Sequence, residues 1–225
     1  MKFEVAISLG LNCQAKYHIL RRLYLSRFGS ADGFEVGALG KLGITHERCY
    51  FDWCVASWHA VIGALENRFA HIFEERNMRI EDFDDGRQTV IDDAYGCAFP
   101  HDFSANRGVT LTPRHVDAML PGVREKYRHI VANTIERMSS SQSRVYLLYG
   151  NIAAHALADI FDAIDRYDEG YRLLLAGTNP ERDYRQLAPR HAERLLYRPV
   201  IHAPYPGHLE SWENALQDID LVDER

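Results

Sequence analysis

The sequence predicts a three-layer α/β fold in which a mostly parallel sheet is flanked by helices. The first observation is an alternation: short apolar segments at residues 145–149, 171–176 and 194–201 are interrupted by a helix-like segment at 152–167. The second is that these segments are apolar along nearly their whole length, as is typical of strands covered on both faces. With a further apolar segment at residues 5–9, they predict at least four parallel strands in one domain over residues 1–225.

Composition narrows the classes of function. Hydrophobic residues make up 46% of the 225 residues, which is enough for a sizeable core, and the formal net charge of -6 argues against a general nucleic-acid binder. No apolar run is long enough for a membrane span, and residues 1–4 lead into a strand without a secretory signal, so a cytoplasmic protein is expected. The oligomeric state is left open.

The first strand leads directly to a candidate nucleophile. Residues 5–9 are an apolar run, Gly10 and Asn12 favour a turn, and helical spacing begins at Cys13. The free amides at a helix N-terminus lower the pKa of a nearby thiol and can donate to an oxyanion. Cys13 is therefore either a nucleophile or a small buried residue beneath the helix.

Residues 26–103 are predicted to form an α+β insertion at the carboxyl edge of the sheet, where open α/β sheets bind ligands. Its glycine-rich part, residues 26–49 with a short helix near 36–42, is either a lid over Cys13 or a tolerated insertion. Asp52 precedes a helix predicted over 57–74, either as its N-terminal cap or as an acid that orients another group. Alternating residues at 78–83 and 88–92 predict a hairpin that turns at Asp85 and Gly86.

His101 is the second candidate. It follows a proline and lies between aromatic residues, so its backbone is expected to be extended, and it is either a general base or a histidine at the edge of the core. After it, Thr112 and Pro113 predict the start of a long helix that ends near residue 138, with Pro121 as a point where it kinks or divides. A last helix is predicted over 211–219.

The cysteines at 13, 49, 54 and 97 show no paired spacing, so a disulfide framework is not expected. Cys49 and Cys54 with His46 and His59 fit no zinc spacing, and no metal is predicted.

Three short motifs in order resemble a bacterial family of putative papain-like cysteine peptidases. They are Ser-Leu-Gly at 8–10 followed by Asn-Cys-Gln at 12–14, then Phe-Asp-Trp at 51–53, then Phe-Pro-His-Asp-Phe at 99–103. The resemblance spans most of the chain and implies a cysteine-dependent acyl hydrolase: a peptidase, amidase or thioesterase. It implies no cofactor and, as partner, a small-molecule, peptide or saccharide acyl substrate.

The residues that carry over by motif are Cys13 as nucleophile, His101 as base and Asp52 as the orienting acid. The resemblance further implies oxyanion and substrate contacts, or a reserve orienting group, from a second set of residues: Asn12, Gln14, Trp53, Asp102 and His208.

Two further similarities give alternatives. A cysteine directly after the first strand of a parallel sheet is similar to the layout of SGNH-type esterases, in which the base lies near the C-terminus, as His202 or His208 do here. The Asn-Cys-Gln turn also resembles capsular-polysaccharide acetyltransferases that use coenzyme A, whose anion site would fall on Lys16, Arg21 and Arg22 or on Arg182 and Arg185. A binding domain without catalysis is the third hypothesis.

Overall fold

The structure is a computed structural model that describes residues 1–44, 46–83, 87–103, 110–179 and 183–221. Its strands are β1 Lys2–Phe3, β2 Val5–Ser8, β3 Met78–Phe83, β4 Arg87–Asp92, β5 Cys97–Ala98, β6 Arg144–Gly150, β7 Tyr171–Gly177, β8 Leu195–Pro199 and β9 Asp220–Leu221. Its α-helices are α1 Gln14–Phe28, α2 Trp58–Glu66, α3 Pro113–Met138, α4 Ala154–Asp165, α5 Pro189–Ala192 and α6 Leu209–Leu216. Short 3-10 helices cover Val36–Leu42 and Glu75–Asn77.

A four-stranded sheet is the centre of the fold. Its order is β2-β6-β7-β8, and every neighbouring pair is parallel. The prediction of an α/β fold with at least four parallel strands is therefore confirmed. Because all four strands run in the same direction, the loops after β2, β6, β7 and β8 leave the sheet at one edge.

Alternate side chains of these strands enter two separate hydrophobic clusters. Ile7, Leu148 and Leu173 pack on one face with residues of α2, α3 and α4. Val145 and Leu174 pack on the other face with residues of α1 and α6. Helices thus cover both faces of the sheet, which explains why its strands are apolar along most of their length. Among the described residues, no helix combines the length and the apolarity that a membrane crossing requires.

Two smaller sheets complete the fold. Strands β3, β4 and β5 form an antiparallel sheet, so the two predicted strands of the hairpin are present, while its predicted turn at Asp85 and Gly86 lies outside the described residues. Strand β1 pairs in parallel with β9, which joins the beginning of the described chain to its end. Neither β5 nor the β1–β9 pair was predicted from the sequence, because each of these strands has only two residues.

Helix boundaries follow local signals where these exist. Helix α3 runs unbroken past Pro121, and the Thr112 side chain accepts from the His115 amide at 3.4 Å at its start. The prediction of one helix over 57–74 is wrong, because α2 ends at Glu66. Arg68, Phe69, His71 and Phe73 then adopt positive φ angles, and these turns carry Phe69 and Phe73 into the core.

Candidate active site at the carboxyl edge of the sheet

The turn between β2 and α1, residues 10–14, is termed the Cys13 turn. Gly10 and Leu11 both have left-handed backbone, with φ of 77° and 67°. This conformation is unfavourable for a leucine, and strained backbone of this kind is concentrated at functional sites. A side chain at Gly10 would also meet Phe51, whose Cβ lies 3.2 Å from the position of an added Cβ. The backbone of the turn is therefore tightly constrained at the two residues before Asn12.

Cys13 is the N-cap residue of α1, but its side chain makes no capping hydrogen bond. The neighbouring Asn12 fills that role, since its Oδ1 accepts from the Gln14 amide at 2.9 Å. The half-buried Cys13 thiol thus lies at the helix N-terminus but does not cap the helix. Burial raises the pKa of the Cys13 thiol, partly offset by its own main-chain amide, so burial outweighs the lowering that a helix N-terminus predicts.

A hydrogen-bond network connects the Cys13 turn to the loop between β8 and α6. The Gln14 side-chain amide donates to the Ala203 carbonyl at 3.0 Å. Tyr149, near the end of β6, has its hydroxyl 2.9 Å from Nδ1 of His202. Burial raises the pKa of Tyr149, and a hydrogen bond with the Gln14 side chain partly offsets this. Gln14 therefore holds both the carbonyl after His202 and the tyrosine that contacts the His202 ring.

Aromatic side chains lie beside the thiol. Tyr205 and Tyr17 pack edge to face with ring centroids 5.4 Å apart. Burial and the nearby Cys13 sulfur raise the pKa of Tyr205 to about 12, although 52% of this residue is exposed. Tyr205 therefore lies within electrostatic range of the thiol and is itself open to solvent.

His101 lies in a different environment, a cavity of about 240 Å³ termed the His101 pocket. Its ring packs edge to face with Trp53 at a centroid distance of 5.6 Å. Burial lowers the pKa of His101, with Arg87 and Lys126 adding to the effect and Asp102 opposing it. In the described part of the chain, no hydrogen bond or ring contact joins His101 to Cys13. The cysteine–histidine dyad implied by the resemblance remains a prediction.

Asp102 is the buried acid of the same pocket. Its side chain is 4% exposed, with one oxygen bound to Lys126 and the other accepting from the Tyr127 hydroxyl at 2.7 Å. Both oxygens therefore point to helix α3 and stabilise its position against residues 99–103.

Asp52 has a different partner from the one that the resemblance implies. Its Oδ2 lies 2.6 Å from Nζ of Lys16 and accepts from the Cys49 amide at 2.8 Å, and both charged side chains are at most 2% exposed. Nδ1 of His46 lies 2.6 Å from the same Lys16 nitrogen, and burial, followed by Lys16, lowers the pKa of His46 well below its usual range. Asp52 thus anchors helix α1 through a buried ion pair and does not contact the His101 ring.

The remaining predicted residues have structural contacts. His208 caps α6, with Nδ1 accepting from the Ser211 amide at 3.3 Å. Of the cations considered for coenzyme A, Arg21 pairs with Glu213 and Arg185 with Asp183, whereas Arg182 lies outside the described residues. Two of the residues considered for zinc have other partners. Cys54 hydrogen-bonds with Cys97, and the His59 ring stacks on Trp58 with ring centroids 3.3 Å apart.

Sequence reasoning missed the contributions of Tyr149 and Tyr205. Tyr149 is the last residue of an apolar segment, and an aromatic hydroxyl at the carboxyl end of a predicted strand is a signal for an edge site. Tyr205 lies in a proline- and glycine-rich loop that carries no periodic pattern, so its proximity to Cys13 depends on tertiary structure alone.

In comparisons with protein-family models, curated proteins and solved structures, no significant match to this chain was found. The resemblance to papain-like cysteine peptidases therefore rests on the three motifs and stays a prediction. The geometry of the site itself has to indicate the function.

Proposed function

We propose that the protein is a cysteine-dependent acyl hydrolase whose nucleophile is Cys13. The observation that carries this proposal is the position of the thiol. It lies on a strained turn at the carboxyl edge of a parallel sheet, at a helix N-terminus, with no capping hydrogen bond of its own. A buried cysteine that only fills space needs neither the left-handed leucine nor the aromatic surface beside it.

A thiol with a raised pKa needs a proton acceptor during attack. In the proposed reaction the base removes the thiol proton while sulfur adds to the substrate carbonyl carbon. The tetrahedral intermediate then expels an alcohol, thiol or amine, which takes that proton. Water, deprotonated by the same base, next attacks the thioester and forms a second tetrahedral intermediate. This intermediate expels the Cys13 thiolate, which takes the proton back from the base, and the carboxylic acid is released.

The oxyanion would be stabilised by donors within the Cys13 turn. The Gln14 amide is already used by Asn12, so the proposed donors are the Cys13 main-chain amide and the Asn12 side-chain amide. The Cys13 amide lies close enough to its own sulfur to lower the thiol pKa partly. It is therefore positioned at the reacting atoms.

His202 is the base that we favour over His101. The Gln14 and Tyr149 contacts connect the His202 loop to the Cys13 turn. The ring partner of His101 and two of its charged neighbours, Asp102 and Lys126, instead line its own pocket. A base in the last loop before the final helix also agrees with the SGNH-like hypothesis. In this proposal residues 26–103 form one wall of the site, supported by the contact of Phe51 with Gly10.

The first test measures turnover and thiol reactivity together. Hydrolysis of p-nitrophenyl acetate and of a short acyl thioester would be followed for the native protein and the variants Cys13→Ala, His202→Ala and His101→Ala. We expect Cys13→Ala to abolish turnover and His202→Ala to reduce kcat about 100-fold, the lower range for a general base. His101→Ala should keep turnover within about threefold of the native protein, since a group outside the reaction adds no general-base term.

Alkylation of Cys13 by iodoacetamide, followed by mass spectrometry against pH, adds an independent readout. The raised pKa predicts a labelling midpoint above about 8.5, the value of a free cysteine. Cys49, Cys54 and Cys97 are buried and serve as slowly reacting internal controls. Native turnover in Cys13→Ala would contradict the proposal, and a large loss in His101→Ala alone would return the base to His101.

A further inference from the structure

The His101 pocket has a charge balance unlike that of the whole chain. Arg48, His101, Asp102 and Lys126 line it, and its only acidic group among these four is already bound by Lys126 and Tyr127. Arg48 is exposed and has no ion-pair partner among the described residues. Among the described lining residues, one positive charge is therefore left without an ion-pair partner, in a chain whose formal net charge is -6.

His101 has charged neighbours of both signs. Arg87 and Lys126 both disfavour the protonated ring, and only Asp102 opposes them. Burial is the largest cause of the lowered pKa of His101, so the ring in this pocket is disposed to its neutral form. An anion that entered would meet Arg48 and the neutral imidazole without displacing an existing ion pair.

The walls also have an apolar, planar part. Trp53 is half-buried, and its ring packs against the His101 ring in an edge-to-face contact. Ile130 of α3 supplies a second apolar side chain of the lining. The volume of about 240 Å³ is below the roughly 300–1,000 Å³ of sites that hold drug-sized ligands. A ligand that fits this cavity is therefore small, and the lining offers it an apolar ring beside a positive charge.

We propose that the His101 pocket binds a small planar organic carboxylate, with the carboxylate on Arg48 and His101 and the flat group against Trp53. None of the residues that line this pocket belongs to the Cys13 turn, and binding here goes beyond the proposed hydrolase activity. Guanidinium and carboxylate form paired, charge-assisted hydrogen bonds, which makes arginine the natural partner. The buried Asp102 holds Lys126 and Tyr127 in place, so the cavity is preformed and little reorganisation is needed on binding.

The test uses benzoate as the probe and the indole N–H signals of the three tryptophans as reporters. In a ¹⁵N-labelled protein, benzoate should shift the Trp53 signal in a saturable manner and leave those of Trp58 and Trp212 unchanged. A Trp53→Phe variant assigns the signal. Benzamide has the same shape without the charge, and inorganic phosphate has charge without the planar group. Both should bind at least tenfold more weakly than benzoate.

Arg48→Gln should weaken benzoate binding about tenfold or more, while Arg48→Lys should restore part of it. Arg128→Gln is the matched control, since Arg128 is an exposed arginine of α3 that pairs with Glu125 away from the pocket. Cys13→Ala should leave benzoate binding unchanged, so failure of the hydrolase proposal would not affect this result. Equal binding of benzoate and benzamide, an unmoved Trp53 signal, or full affinity in Arg48→Gln would each overturn the proposal.

Discussion

The Cys13 turn and the His101 pocket differ in how they carry charge. Residues 10–14 contain no ionisable side chain except the thiol, and burial keeps that thiol protonated. The pocket contains Arg48, Asp102 and Lys126 around a small preformed cavity. In our proposals, chemistry at Cys13 needs a base from another loop, whereas binding at the pocket needs only charges that are already in place.

The buried Lys16–Asp52 pair connects the two regions, and breaking it should have the largest effect on stability. Lys16 lies three residues after Cys13, and Asp52 precedes Trp53. Asp52→Ala leaves a buried lysine without its carboxylate, so the free energy of unfolding should fall by about 3–5 kcal/mol. Urea denaturation followed by circular dichroism measures this loss.

The double variant Lys16→Met/Asp52→Leu is the control for that experiment. It removes both charges and keeps apolar volume, so most of the lost stability should return. If the double variant is as unstable as Asp52→Ala, the pair is needed for its shape and hydrogen bonds, and the charge argument fails. Benzoate binding measured on the double variant would then show whether the pocket depends on the pair.

Gly207→Ala should have an intermediate effect confined to the Cys13 side. Gly207 has φ of 98°, and an added Cβ would lie 2.7 Å from Oε1 of Gln14 and 2.9 Å from Nε1 of Trp212. The loop over Gln14 must move, at a cost of about 1–3 kcal/mol in unfolding free energy. Because this loop also places Tyr205 beside Cys13, alkylation of Cys13 should become faster.

Gly37→Ala provides the comparison for that loop. Gly37 lies in the 3-10 helix over Val36–Leu42, and nothing lies within 4 Å of an added Cβ there. Its stability and its Cys13 alkylation rate should match the native protein. A Gly207→Ala variant that behaves like Gly37→Ala would show that the loop does not cover the thiol.

Arg48→Gln should have the smallest effect on stability, even though it is expected to abolish most benzoate binding. Arg48 is exposed and makes no ion pair within the described ranges, so the free energy of unfolding should stay within about 0.5 kcal/mol of the native value. Thermal unfolding in the absence of benzoate checks this. A marked loss would mean that Arg48 supports the fold and that the pocket is a structural feature.

The sequence was informative wherever a local signal determines the structure. The apolar strands, the helix from Pro113 to Met138 and the placement of Cys13 between a strand and a helix are all local in origin. The partner of Asp52 was not predictable, because Lys16 lies 36 residues earlier and only the packing of α1 brings its ammonium group to the carboxylate. The direction of the Cys13 pKa shift was not predictable from the sequence either, because burial in the folded protein determines it.

Strand order has a consequence for how the protein is made. Strand β2 pairs with β6, and the contact between Glu4 and Ser143 at the start of this pairing spans 139 residues. During translation at roughly 5–20 residues per second, β2 waits on the order of ten seconds for its neighbour. Its four residues are all buried in the folded protein. Until β6 has been made, the nascent chain therefore exposes an apolar segment with an unpaired edge, which is an aggregation hazard that the folded sheet removes.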